Sequence, residues 1–89
     1  MAKRNVTRFE LTGGYQIKVW FKNGRSGEVD IGELTGFEGD YYAPLRDPAY
    51  FRQVTIDEDF GAIRWPNDAD IDPLALYAKA TGTPLTVRV

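Results

Sequence analysis

"YQIKVWFKNGRSGEVDI", residues 15 to 31, decides the fold. Tyr15, Ile17, Val19 and Phe21 alternate with Gln16, Lys18 and Trp20. A period of two is the signature of a strand with one buried face. Asn23-Gly24 then turns the chain. The usual reading of Asn-Gly is a two-residue type I′ loop. That loop would set Val19 opposite Glu28 and Lys18 opposite Val29, mixing core and solvent residues on each face. A three-residue loop, Lys22-Asn23-Gly24 with Gly24 left-handed in a bulge, sets Ile17 opposite Val29 and Tyr15 opposite Ile31. It also places Lys18 across from Glu28, a favourable charge pair. The spacing predicts the three-residue loop.

Working outward, "VTRFEL", residues 6 to 11, puts Thr7, Phe9 and Leu11 on one side and Arg8 and Glu10 on the other. Thr12-Gly13-Gly14 supplies a turn, which completes a three-stranded meander ending at Ile31. The expected register sets Arg8 opposite Lys18, with Val6 and Ser26 on either side of Trp20. Residues 32 to 45 contain Gly32, Gly36 and Gly39, which predict a helical turn near Glu33–Leu34 and then an irregular loop. Asp47 is an N-cap and Pro48 the first residue of a helix, where a missing N–H costs nothing. Val54 and Ile56 pair with Ile63 and Trp65 in a second hairpin, turned by Asp57 to Gly61. The expectation is one α+β domain over residues 1 to 89. It has an antiparallel sheet, made of the meander plus the second hairpin, and two or three short helices.

"IRWPNDADIDPLALYAKA", residues 63 to 80, carries an acidic run between a Trp-Pro and a short apolar stretch. Pro66 forces Trp65 to be extended and ends the strand. Asn67-Asp68 is turn chemistry. Asp72 is an N-cap and Pro73 the first helical residue, with Ile71 and Leu76 spaced as a hydrophobic staple. Leu74, Tyr77 and Ala78 share the buried stripe, and Gly82 stops the helix left-handed. Asp68, Asp70 and Asp72 imitate the first ligands of a calcium loop. The position that needs a turning glycine is Pro73, however, and the one that needs a bidentate glutamate is Lys79. No metal site and no cofactor are expected.

The chain lacks both cysteine and histidine. That removes thiolate nucleophiles, disulfides, and the usual general base near neutral pH. Nothing couples the aspartates to a nucleophile, so the protein is not expected to be an enzyme. No apolar run approaches the roughly 20 residues a membrane helix needs, so a soluble, cytoplasmic protein is expected. The formal net charge is −2. It divides into six basic residues against one acidic over residues 1 to 25, and five basic against twelve acidic thereafter. Folding is expected to pair much of this charge across strands.

One constellation on the outward strand face invites a partner. Arg8, Lys18 and Lys22 surround Trp20, a combination suited to protein docking or to phosphate contact with base stacking. The acidic balance elsewhere favours a protein partner or self-association over nucleic acid. "PLTVRV", residues 84 to 89, adds a β-prone tail that either packs on its own domain or extends a partner's sheet.

The segments "FKNGRSGEVDIGEL", "PLRDPAYFRQVTI" and "IRWPNDADIDPLALY" together resemble the bacterial family catalogued as domain of unknown function 2442. The matching positions are Val29-Asp30-Ile31, Leu45, Asp47-Pro48, Phe51, Trp65-Pro66-Asn67, Asp70 and Leu76-Tyr77. The family commonly has a glycine where this chain has Asp68-Ala69. The resemblance implies an α+β domain and brings no catalytic residues. Some relatives carry a C-terminal helix-turn-helix, which is not expected here because the sequence stops at Val89. Others are encoded beside a second small protein in what resembles a toxin–antitoxin pair. The expected role is a noncatalytic interaction module, the antitoxin-like member of such a pair with a small toxin-like partner. The rival role is a nucleic-acid-binding, transcription-associated domain.

Overall fold

Alternation sets the first sheet. In the computed structural model, which describes residues 5–82, β1 (Val6–Gly13), β2 (Gln16–Phe21) and β3 (Ser26–Asp30) form an antiparallel meander. Ile17 pairs with Val29 and Lys18 with Glu28, the register that the three-residue loop requires. Phe21 donates its N–H to the Arg25 carbonyl at 2.8 Å, and Gly24 holds φ at 90°. Ile31 N–H reaches the Tyr15 carbonyl at 2.9 Å, extending the ladder by one rung. Ile17, Val19, Phe21 and Val29 are all buried.

The first hairpin turns one residue later than "TGG" suggests. Gly13 pairs with Gln16 around Gly14-Tyr15, so Arg8 lies opposite Trp20 and Glu10 opposite Lys18. The expected pairing of Arg8 with Lys18 is therefore corrected by two residues, and from Arg8 to Leu11 the faces survive because two is a full strand period. Val6, expected beside Trp20 on the outward face, instead pairs with Phe21 and is buried in the core. Irregularities between Val6 and Arg8 and between Leu11 and Gly13 absorb the remaining mismatch. On the other side, Trp20 does pair with Ser26.

Residues 32 to 45 are more ordered than a loop. α1 (Ile31–Thr35) is capped by Asp30, whose carboxylate accepts from Glu33 N–H at 3.0 Å, and it ends at left-handed Gly36. α2 (Gly39–Tyr42) runs into a 3-10 turn at Ala43–Arg46. Of the glycines read as breakers, Gly36 and Gly39 act as helix boundaries, and Gly32 lies inside α1. α3 (Pro48–Phe51) has Asp47 as N-cap and Pro48 first, as the sequence predicts.

The second hairpin, β4 (Thr55–Asp57) and β5 (Ala62–Arg64), gains a third strand, β6 (Asp70–Ile71), and so makes a separate sheet. Ile71 pairs with Ile63 and Asp70 with Arg64. α4 (Pro73–Thr81) follows, capped by Asp72 and stopped by left-handed Gly82. Ile71, Leu76 and Tyr77 enter the core, whereas Leu74, expected in the buried stripe, is 50% exposed. Residues 83 to 89, and with them the tail "PLTVRV", lie outside the described residues.

One apolar cluster joins the parts. Val6, Ile17, Val19, Phe21, Val29 and Ile31 meet Val54, Ile63, Trp65 and Ile71, with Leu45, Phe51, Leu76 and Tyr77 from the helical segments. α4 lies so close to β3 that a β-carbon on Gly27 would sit 2.0 Å from the Ala80 carbonyl oxygen. Tyr77 stacks edge-on against Phe21 at 4.9 Å and accepts a 3.0 Å hydrogen bond from Asn23, tying α4 to the β2–β3 turn.

Candidate interaction surface

Strand parity puts Arg8 and Glu10 of β1, Lys18 and Trp20 of β2, and Ser26 and Glu28 of β3 on the face turned away from the core. Trp20 is half-buried there. The Arg8 guanidinium lies 4.2 Å from the Trp20 ring centroid and the Lys18 ammonium 5.0 Å from it. Both distances suit cation–π attraction, worth about 0.5–1 kcal/mol at an exposed site. Arg8 also comes within 4.0 Å of Glu10, both well exposed. Lys18 is flanked in register by Glu10 and Glu28. Three of the four expected surface residues thus meet at Trp20. Lys22 lies past the end of β2, where it lines a shallow recess with Val6, Thr7, Ile56 and Glu58. Glu10 belongs to the cluster and was not singled out from sequence. Its place follows from a register that only the position of the first turn reveals.

The residues of the Trp-Pro-Asn segment have structural work. Trp65, 1% exposed, donates its indole N–H to the Phe51 carbonyl at 2.9 Å and packs on the Phe51 ring. Past Pro66, Asp68 N–H closes a turn onto the Trp65 carbonyl at 2.9 Å. Asn67 accepts from Ala69 N–H and donates to the Tyr41 carbonyl, each at 3.1 Å. Asp68, at φ 71°, pairs with Arg64, which also reaches Asp57 at 3.3 Å. The Asp70 carbonyl accepts from the Tyr42 hydroxyl at 2.7 Å. Burial, and secondarily the nearby Asp70 carboxylate, push the Tyr42 pKa above its ordinary value. Asp72 caps α4 by accepting from Leu74 N–H at 3.0 Å, with Pro73 at the first helical position. Among the described residues, no three acidic side chains gather closely enough to hold a metal ion.

One further feature presents itself to solvent. The tip of the β4–β5 hairpin carries Phe60, 71% exposed and preceded by Asp57, Glu58 and Asp59. An aromatic inside an acidic turn was the sequence signal for it. Among the described residues, no helix is long and apolar enough to cross a membrane.

Two small antiparallel sheets joined by short helices, with an outward tryptophan held between cations, define an α+β domain. The chain belongs to the family described as "Protein of unknown function (DUF2442)", whose family model matches residues 6–82. No curated protein and no solved structure matches the chain.

Proposed function

We propose that this domain is a noncatalytic module that docks a protein partner on the outer face of its first sheet. The observation that carries the reading is the Arg8–Trp20–Lys18 stack. Tryptophan and arginine are among the residues most enriched at the energetic centres of protein interfaces. The cations rest against the ring, where a base would have to stack, and Glu10 and Glu28 offset their charge. Both features favour a polypeptide over a phosphate backbone. The noncatalytic part is supported by the aspartates, whose visible roles are capping, turning and pairing with Arg64.

The specific form we propose is the antitoxin-like member of a two-protein pair, with a small toxin-like protein as partner. Its support is the resemblance to relatives encoded in that arrangement. The test is affinity capture from the native host with the wild-type chain and the Trp20→Ala variant in parallel. A protein retained by the wild type and lost by the variant is the expected result, and equal recovery would overturn the reading. Steeply salt-dependent retention on single-stranded DNA, abolished by Lys18→Glu, would shift the reading to the nucleic-acid rival.

A further inference from the structure

We propose that two copies of this chain join along their β1 edges, antiparallel and centred on Phe9, to make one continuous six-stranded sheet. The inference goes beyond the docking role, since it rests on the strand edge and not on the Trp20 face. β1 is the longest strand and lies at the end of its sheet. It carries no proline and no lysine, two of the residues that commonly blunt an exposed edge. Among the described residues, its outer edge is engaged at Val6, whose N–H donates to the Gly61 carbonyl at 2.8 Å.

Ladder parity fixes which groups point outward. Phe21 and Tyr15 of the β2 segment bond toward β3, so Lys18 and Trp20 bond toward β1. Their partners Glu10 and Arg8 therefore turn their backbone groups inward to β2, and Phe9 and Leu11 turn theirs outward. An antiparallel pair centred on Phe9 lets the two Phe9 residues exchange two N–H···O bonds. It sets Leu11 across from the second copy's Thr7.

Charge selects this register. With Phe9 on the dyad, Arg8 faces the second copy's Glu10, and Glu10 faces the second copy's Arg8. Centring on Arg8 or on Glu10 would set like charges face to face, which destabilises a strand pair. Centring on Leu11 would run into the Gly14-Tyr15 turn. Extending the row through both copies gives Trp20, Arg8, Glu10 of the second copy, Lys18 of the second copy and Glu28 of the second copy. Each neighbouring pair in that row is a cation–π or an opposite-charge contact. β3, the other edge, carries Glu28 and Asp30 and no cation, so no self-register gives it such pairs. The dyad stands perpendicular to the sheet. Both Trp20 faces thus open on the same side, with their β2 strands three spacings, about 14 Å, apart.

Analytical ultracentrifugation of the full chain over a concentration series tests the proposal. The expected wild-type behaviour is a concentration-dependent monomer–dimer equilibrium. Arg8→Glu and Glu10→Arg each turn two symmetry-related attractions into repulsions, so each should weaken association by about tenfold or more. The Arg8→Glu, Glu10→Arg double variant should recover the dimer, as should an equimolar mixture of the two single variants. A wild-type chain that stays monomeric throughout would overturn the proposal. So would a dimer indifferent to both reversals, or a mixture that fails to reassociate. The Trp20→Ala capture result is read separately, so either idea can fail alone.

Discussion

Asp68 holds a backbone conformation that a β-carbon ordinarily resists, at a cost of about 1–2 kcal/mol, and aspartate is among the few residues that visit it. The same side chain pairs with Arg64 from a position 76% exposed, so that pair contributes little. Asp68→Gly should therefore leave stability within about 1 kcal/mol of wild type, the released strain being offset by a freer unfolded chain. Asp68→Val, which keeps the strain and loses the local hydrogen-bonding capacity, should cost about 1–2 kcal/mol in urea unfolding. The turn was legible from Asn67-Asp68, but the sequence does not say which of the two takes positive φ. Tyr42 supplies a second test at this scale. Its pKa lies above the ordinary tyrosine value of 10.0 because burial, and then Asp70, penalise the phenolate. The folded state consequently keeps the proton after the unfolded chain has released it. The contribution is complete below about pH 10 and is lost as pH climbs through the raised folded value. Thermal melts from pH 8 to 11 should thus show a loss of stability that is shallower in Tyr42→Phe than in the wild type.

Elements were legible where a local rule suffices. Hairpin alternation around Asn23-Gly24 and the Asp-Pro caps at residues 47–48 and 72–73 need only neighbours in sequence, and each forms as expected. α2 has four residues and β6 two, too few for any period to show, and the Tyr42 hydroxyl ties one to the other through the Asp70 carbonyl 28 residues on. The first-hairpin register depended on which residues of Thr12-Gly13-Gly14-Tyr15 form the turn, and several choices preserve the same alternation. For that reason the candidate surface was half visible. Arg8, Lys18 and Trp20 were placeable on one face, but the order in which they touch was not. Gly27 gives an element-scale prediction. Its backbone is ordinary strand, so alanine there is strained only by space, and the obstacle is the carbonyl of Ala80 in α4. Backbone cannot rotate aside as a side chain can. Gly27→Ala should push α4 off β3 and lower stability by about 2–3 kcal/mol, read from the urea midpoint.

Across the whole molecule the two sheets share one apolar cluster and a backbone bond from Val6 to Gly61, which predicts that neither unfolds without the other. The chain contains two tryptophans, and they report on different sheets: Trp20 on the first and Trp65 beside the second. Trp20→Phe leaves fluorescence to Trp65 alone, and Trp65→Phe leaves it to Trp20. Each substitution will lower stability by its own amount. Trp65→Phe costs more because it removes a fully buried ring edge and the bond to the Phe51 carbonyl. The informative comparison is therefore within each variant, between the fluorescence transition and the far-ultraviolet circular dichroism of all elements together. Coincident midpoints and slopes in both variants are expected for a single cooperative domain. A Trp20 signal that persists after the dichroism has fallen would mean that the meander stands without the second sheet. That outcome would place the cohesion of the molecule in the strand ladder and not in the core that Trp65 anchors.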